Sequence, residues 1–139
     1  MNKFCIIFFF LLFSCNKKAE KETILIAKEG EYWSYKNNCG SHGIEFHFNE
    51  DGSYDRYNNF IDRGFVLFNN DGDVVSYKED RTWSIVNDSV LKWDRATYKI
   101  VSFTDKKIVL SYLDKQNILC NVILTKVFDK HLSKGQVKK

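Results

Sequence analysis

The feature that most constrains this chain is a series of short apolar-alternating runs from Trp33 onward, each ended by a Gly, Asn or Asp cluster, recurring at intervals of about ten residues. Successive side chains of a strand point to opposite faces, so each run buries one face and wets the other. Ile44, Phe46 and Phe48 alternate with Glu45 and His47, which places those two polar residues on the solvent face, and Glu50-Asp51-Gly52 then turns the chain into a strand over 53–57. A second hairpin is predicted from 64–68 through Asn69-Asn70-Asp71-Gly72-Asp73 into 74–78, which leaves a long loop over 58–63. The pattern repeats as 82–86 turning at 87–89 into 90–93, as 97–103 turning at 104–106 into 107–113, and as a long last strand over 117–127. Strands joined by tight turns pair antiparallel, and a meander of about eight to ten of them loses its exposed edges by closing. The expected fold is all-β: an up-and-down meander closed into a small barrel, its last strand beside its first. Trp33, Phe46, Phe48, Tyr54, Trp83, Ile85, Leu91, Tyr98, Ile100, Val109 and Leu119 are the expected core.

The N-terminus carries a different signal. Lys3 precedes an unbroken apolar run over 4–13, and the small Ser14 stands directly before Cys15. This is the three-part plan of an export signal. At about 1.5 Å per residue the run covers about half of a hydrocarbon core of roughly 30 Å, too little to span it. The Leu12-Phe13-Ser14-Cys15 sequence resembles a bacterial lipoprotein signal. That resemblance implies cleavage after Ser14, acylation of Cys15 and a membrane held through its acyl chains, since two or more chains anchor stably where one does not. The alternative is a plain secretory signal with an incidental Cys15. Residues 1–14 are then the signal peptide and 15–29 the lipidated N-terminus and a charged tether, with 30–127 the barrel domain and 128–139 a tail. Asn16, rather than Asp, follows Cys15, which within that resemblance favours the outer membrane.

The order of motifs resembles that of small bacterial lipocalin-like domains on envelope lipoproteins. It runs from Trp33 through the 46–54 segment to Trp83-Ser84-Ile85-Val86-Asn87-Asp88-Ser89-Val90-Leu91, and continues in 98–105 and Ile108-Val109-Leu110. The resemblance implies a lipocalin-like barrel and assigns no binding residues.

Export removes Cys5 and uses Cys15, leaving Cys39 and Cys120 as the remaining pair in an oxidising compartment. A disulfide across the seam of the barrel is the economical reading, and two buried free thiols are the alternative. Cys39, His42 and His47 match no established zinc spacing, and the Asn/Asp-rich turns lack the twelfth-position Glu of a calcium loop, so no metal is expected. Ser89-Val90-Leu91-Lys92 spells Ser-x-x-Lys, but on a strand its two reactive side chains point to opposite faces. No phosphate loop, nucleophile elbow or His-nucleophile-carboxylate grouping is present, so neither a catalytic residue nor a cofactor is expected. With 21 basic and 18 acidic residues intermixed, no basic stripe marks a nucleic-acid binder. Two functions remain: the barrel mouth binds a small apolar or amphipathic molecule, or a filled barrel engages an envelope protein as inhibitor, assembly factor or immunity protein. Phe60 and Ile61 in the 58–63 loop discriminate them: folded over the mouth they favour the ligand, and exposed they favour the partner.

Overall fold

The structure is a computed structural model that describes residues 17–40, 42–69 and 78–131. The expected signal peptide over 1–14, Cys15 and the tail beyond residue 131 lie outside the described residues. Nine strands are seen among those described: β1 (Glu31–Asn37), β2 (His42–Phe48), β3 (Tyr54–Phe60), β4 (Gly64–Leu67), β5 (Trp83–Asn87), β6 (Val90–Trp93), β7 (Ala96–Phe103), β8 (Lys107–Leu113) and β9 (Leu119–Phe128). They form one antiparallel sheet in the order β4-β3-β2-β1-β9-β8-β7-β6-β5. The last strand therefore pairs with the first, from Glu31 opposite Phe128 to Asn37 opposite Val122.

The sheet is curled. Phe46 of β2 and Trp93 of β6 stand five strand positions apart, about 24 Å if the sheet were flat, yet their ring centroids are 4.6 Å apart. The inner face carries Trp33, Phe46, Phe48, Ile85, Leu91, Trp93, Ile108, Leu110, Val122 and Leu124, all buried. Eight of the eleven residues expected in the core are buried; Tyr98 packs at its edge. Val109 is half-buried and Leu119 is 61% exposed, because β8 and β9 turn Ile108, Leu110, Cys120, Val122 and Leu124 inward instead. A one-residue change of register exchanges the two faces of a strand.

Closure into a barrel is not observed: the ladder stays open between β4 and β5. One bridge, Ser53 to Thr82, spans the gap at one end, with Tyr54 N–H donating to Arg81 O and Trp83 N–H to Gly52 O. The reason is the path of β4. Pairing of β3 with β2 ends at Tyr57, while β3 continues with β4 to Phe60 opposite Gly64. Beyond Tyr57 the hairpin folds back over the outer face, stacking Phe65 on Tyr32 of β1 at 4.0 Å with ring planes 3° apart. Three strand positions would otherwise separate those rings by about 14 Å. Gly64 completes the contact: a Cβ there would meet the His131 ring at 2.8 Å. The first half of the 58–63 segment is thus strand and 61–63 its turn, and β4 is the return strand of this hairpin. Most of the strand expected over 74–78 lies outside the described residues; Lys78–Asp80 is a 3-10 turn.

The flap also overturns the expected exposure of Glu45, which is 7% exposed beneath it. His47 is half-buried there, between Tyr32 and Tyr57, its Nδ1 3.0 Å from Glu31 O. Burial, then the nearby Asp55, push the Tyr57 phenol up to about 12.

The expected tether folds as well. Residues 17–25 are helical, and the apolar Ile24-Leu25-Ile26 at the helix end seals one end of the curled sheet. Leu25 is fully buried and its carbonyl accepts the Trp33 indole N–H at 2.9 Å. Ala27 N–H donates to Phe48 O.

Candidate binding site at the open mouth

The inner face divides in two along the strands. Toward the helix, aliphatic side chains, Trp33 and Phe48 are fully buried; toward the β1–β2, β6–β7 and β8–β9 turns, rings stand apart and border an open cavity of about 370 Å³. That volume lies at the lower end of the range for small-molecule sites, about 300–1,000 Å³. Alternation delivers the walls: Tyr35 and Ile44 from β1 and β2, Phe46 beside them, and Trp93 and Tyr98 from β6 and β7. Trp93 is the hub. Its ring meets Phe46, Tyr35 and Tyr54 edge-on and Tyr98 at a tilt, with centroids 4.6–6.0 Å apart. Such contacts suit aromatic quadrupoles and fix the rings in place.

Three charged residues join this wall: Arg56 of β3 and the Asp94-Arg95 turn between β6 and β7. Asp94 sits at φ 53°, a left-handed conformation that Asp tolerates better than most side chains. Tyr54 donates its hydroxyl to Asp94 Oδ2 at 2.7 Å. Burial raises the Asp94 carboxyl, against the opposing pull of Tyr54, Thr82 N–H, Arg56 and Arg81. The Tyr54 phenol is raised by burial, then by its bond to Asp94 and that carboxylate's charge; burial likewise raises Tyr35 and Tyr98. All three tyrosines are therefore neutral hydroxyls, suited to hydrogen bonding.

The two arginines of this region differ. Arg81 is 4% exposed, donates Nε to Tyr54 O and lies 3.4 Å from Asp55. Arg56 has its guanidinium 4.7 Å from the Phe68 ring, and its Nε is buried without a hydrogen-bond partner. Sequence reasoning missed this residue, though a signal was there: Arg56 follows Tyr54 by two on a predicted strand, which puts a charge on the inward face.

At the rim, Cys39 in the turn after β1 is joined to Cys120 of β9 by a disulfide, Cα–Cα 5.6 Å. Asn37 donates to the Tyr35 and Tyr112 hydroxyls at 3.0 and 2.8 Å, and Asn38 Oδ1 accepts Asn121 N–H. Cys39, His42 and His47 are not brought together; Cys39 is bonded to sulfur, His42 is exposed, and His47 lies beneath the flap. Among the described residues no group of three His, Cys, Asp or Glu is placed to hold a metal. Ser89 stands in the β5–β6 turn and Lys92 points outward from β6. Phe60 and Ile61 do not cover the mouth: Ile61 is fully exposed at the tip of the flap, with Arg63 over the Phe60 ring.

A second depression lies outside the helix end, between Ile24, Ile26, Lys106 and Phe128. Its volume, about 590 Å³, exceeds that of the mouth cavity, but it is walled by the helix and the ends of β1 and β9 without aromatic stacking, and no buried unpartnered group faces it among the described residues. In comparisons with known proteins, no family model, no curated protein and no solved structure matches the chain.

Proposed function

We propose that this is a lipid-anchored envelope protein, acylated at Cys15 and held at the outer membrane, whose lipocalin-like domain binds a small amphipathic molecule in its mouth. The observation that carries the reading is the ring-walled cavity of about 370 Å³ at one end of the inner face, where aromatic rings and three charged side chains converge. A chain folding only to present its outer surface gains nothing from holding these rings apart. Residue 17, the first described residue of the helix, lies two positions after Cys15, and the helix packs on the far end of the sheet, so an anchored domain stands with its helix end toward the lipid and its mouth away from it. The decisive experiment is native followed by denaturing mass spectrometry of the protein exported by its own host. Excess mass released on denaturation supports the ligand, and a clean apo mass argues against it. Metabolic labelling with a radioactive fatty acid, lost in Cys15→Ser, tests the anchor.

A second reading, a protein-interaction module, is favoured by the fully exposed Ile61 and by Leu113, Ile118 and Leu119, each more than half exposed, around the β8–β9 turn. Crosslinking in cells from position 61 tests it; a specific envelope partner captured there, together with an apo mass, replaces the first reading.

A further inference from the structure

Arginine presents five N–H donors in a planar fork that matches a carboxylate in two parallel bonds. A buried donor left without a partner is unfavourable, and proteins rarely leave one so. Arg56 is such a donor. Its Nε is buried and unpartnered, and among the described residues its guanidinium has no ion pair. Asp94, which shares the cavity wall, is engaged with Tyr54, and Asp55, on the opposite face of β3, is taken by Arg81. Phe68 holds the guanidinium from one side, and the cavity lies along Arg56 as well. With Arg95 on the same rim, the mouth carries two arginines against one aspartate.

We propose that the mouth takes a compact amphipathic anion, a carboxylate on an apolar or aromatic body, with Arg56 binding the carboxylate and Tyr35, Phe46, Trp93 and Tyr98 packing on the body. This rests on the reading of the mouth as a small-molecule site. A neutral ligand of the same shape fills the cavity but leaves Arg56 unpaired, and a cation meets two like charges at the entrance. Planarity favours carboxylate recognition by Arg over Lys, whose ammonium acts as a point charge.

The test uses the full mature chain, residues 15–139 with Cys15→Ser to omit the acyl group, after the Cys39–Cys120 bond has formed. Calorimetric titration compares naphthalene-2-carboxylate with the uncharged naphthalene-2-carboxamide. Binding of the carboxylate at least about ten-fold tighter than the amide is expected, with the preference lost in Arg56→Gln and partly kept in Arg56→Lys. Near-UV circular dichroism checks that both variants keep the native core; where Arg56→Gln does not, the Arg56→Lys and wild-type ratios decide. Equal affinities in the wild-type chain, or a preference that survives Arg56→Gln, overturn the assignment of Arg56 while the mouth reading stands. Binding of neither probe overturns both.

Discussion

The two halves of the inner face are built from one alternation and put it to different uses. Toward the helix, Leu25, Trp33, Phe48, Ile108 and Leu124 are fully buried. Toward the mouth, Tyr35 and Tyr98 are only partly buried, Trp93 and Phe46 meet edge-on, and a charged trio interrupts the apolar wall. Stability and recognition are thus separated along the strands. In the filled half every local preference agrees with the fold; in the mouth a left-handed Asp94 and an unpartnered Arg56 go against it. Departures of that kind concentrate where a protein does something other than fold.

The sharpest break of this contrast is Trp33→Ala. It removes a fully buried indole, its bond to Leu25 O and its contact with the Lys126 ammonium, 4.8 Å from the ring. A loss of about 4–5 kcal/mol is expected, of the order seen for large aromatic deletions in cores. Tyr98→Ala, at the mouth, should cost about 1–2 kcal/mol while weakening probe binding, because its ring already borders open space. Urea denaturation of both variants decides; equal losses would mean that the mouth is core after all.

Next in size is the Cys39–Cys120 bond, which closes a loop of sequence separation 81 at the rim of the mouth. Chain entropy sets a ceiling of about 4.5 kcal/mol, and measured gains usually fall below it. The bond ties β9 to the turn after β1, so reduction should lower stability by about 2–4 kcal/mol and also loosen the mouth. Denaturation with and without reductant measures the first effect, and probe affinity under reduction the second. Unchanged affinity would show that the β1–β9 ladder holds the mouth by itself.

The all-β meander and most of its turns were legible because alternation and Asp-Gly turns are local signals. Gly52, at φ 81°, sits in the turn its Asp51-Gly52 pair predicts. The inward register of β8 and β9 was legible too, since Lys107, Ser111, Asn121 and Thr125 mark the outward side, yet Val109 and Leu119 were assigned inward. What could not be read was set by tertiary contact. The helix over 17–25 is mostly charged and owes its burial to Ile24-Leu25-Ile26 meeting the end of the sheet. Likewise nothing in the 58–67 sequence says that its hairpin leaves the wall and lies over Tyr32, which keeps the ladder open. The rings of the mouth were visible one by one, but the space between them is a property of the curl.

Glu45 gives the smallest effect and the finest test. Like Arg56 it is a charged group with a buried, unpartnered atom, Oε2, but it lies on the outer face, covered by the flap rather than bordering the mouth. If an orphaned group marks a site only where a ligand can reach it, Glu45 is a cost and Arg56 a function. Burial raises the Glu45 carboxyl above its ordinary value of 4.5, with Asn59 N–H opposing. The folded chain therefore holds that proton more tightly than the unfolded chain. The associated stability is complete below the ordinary value and is lost as pH rises through the folded value. Glu45→Gln, neutral throughout, should match the wild-type midpoint near pH 4 and exceed it increasingly toward pH 8, with carboxylate-probe affinity unchanged. Arg56→Gln should do the reverse, losing the probe preference with no such pH trend in the gap. A Glu45→Gln gap that stays constant with pH would mean that the flap opens enough to hydrate the carboxylate, and the distinction between an orphan under the flap and one on a side chain that borders the mouth would fall.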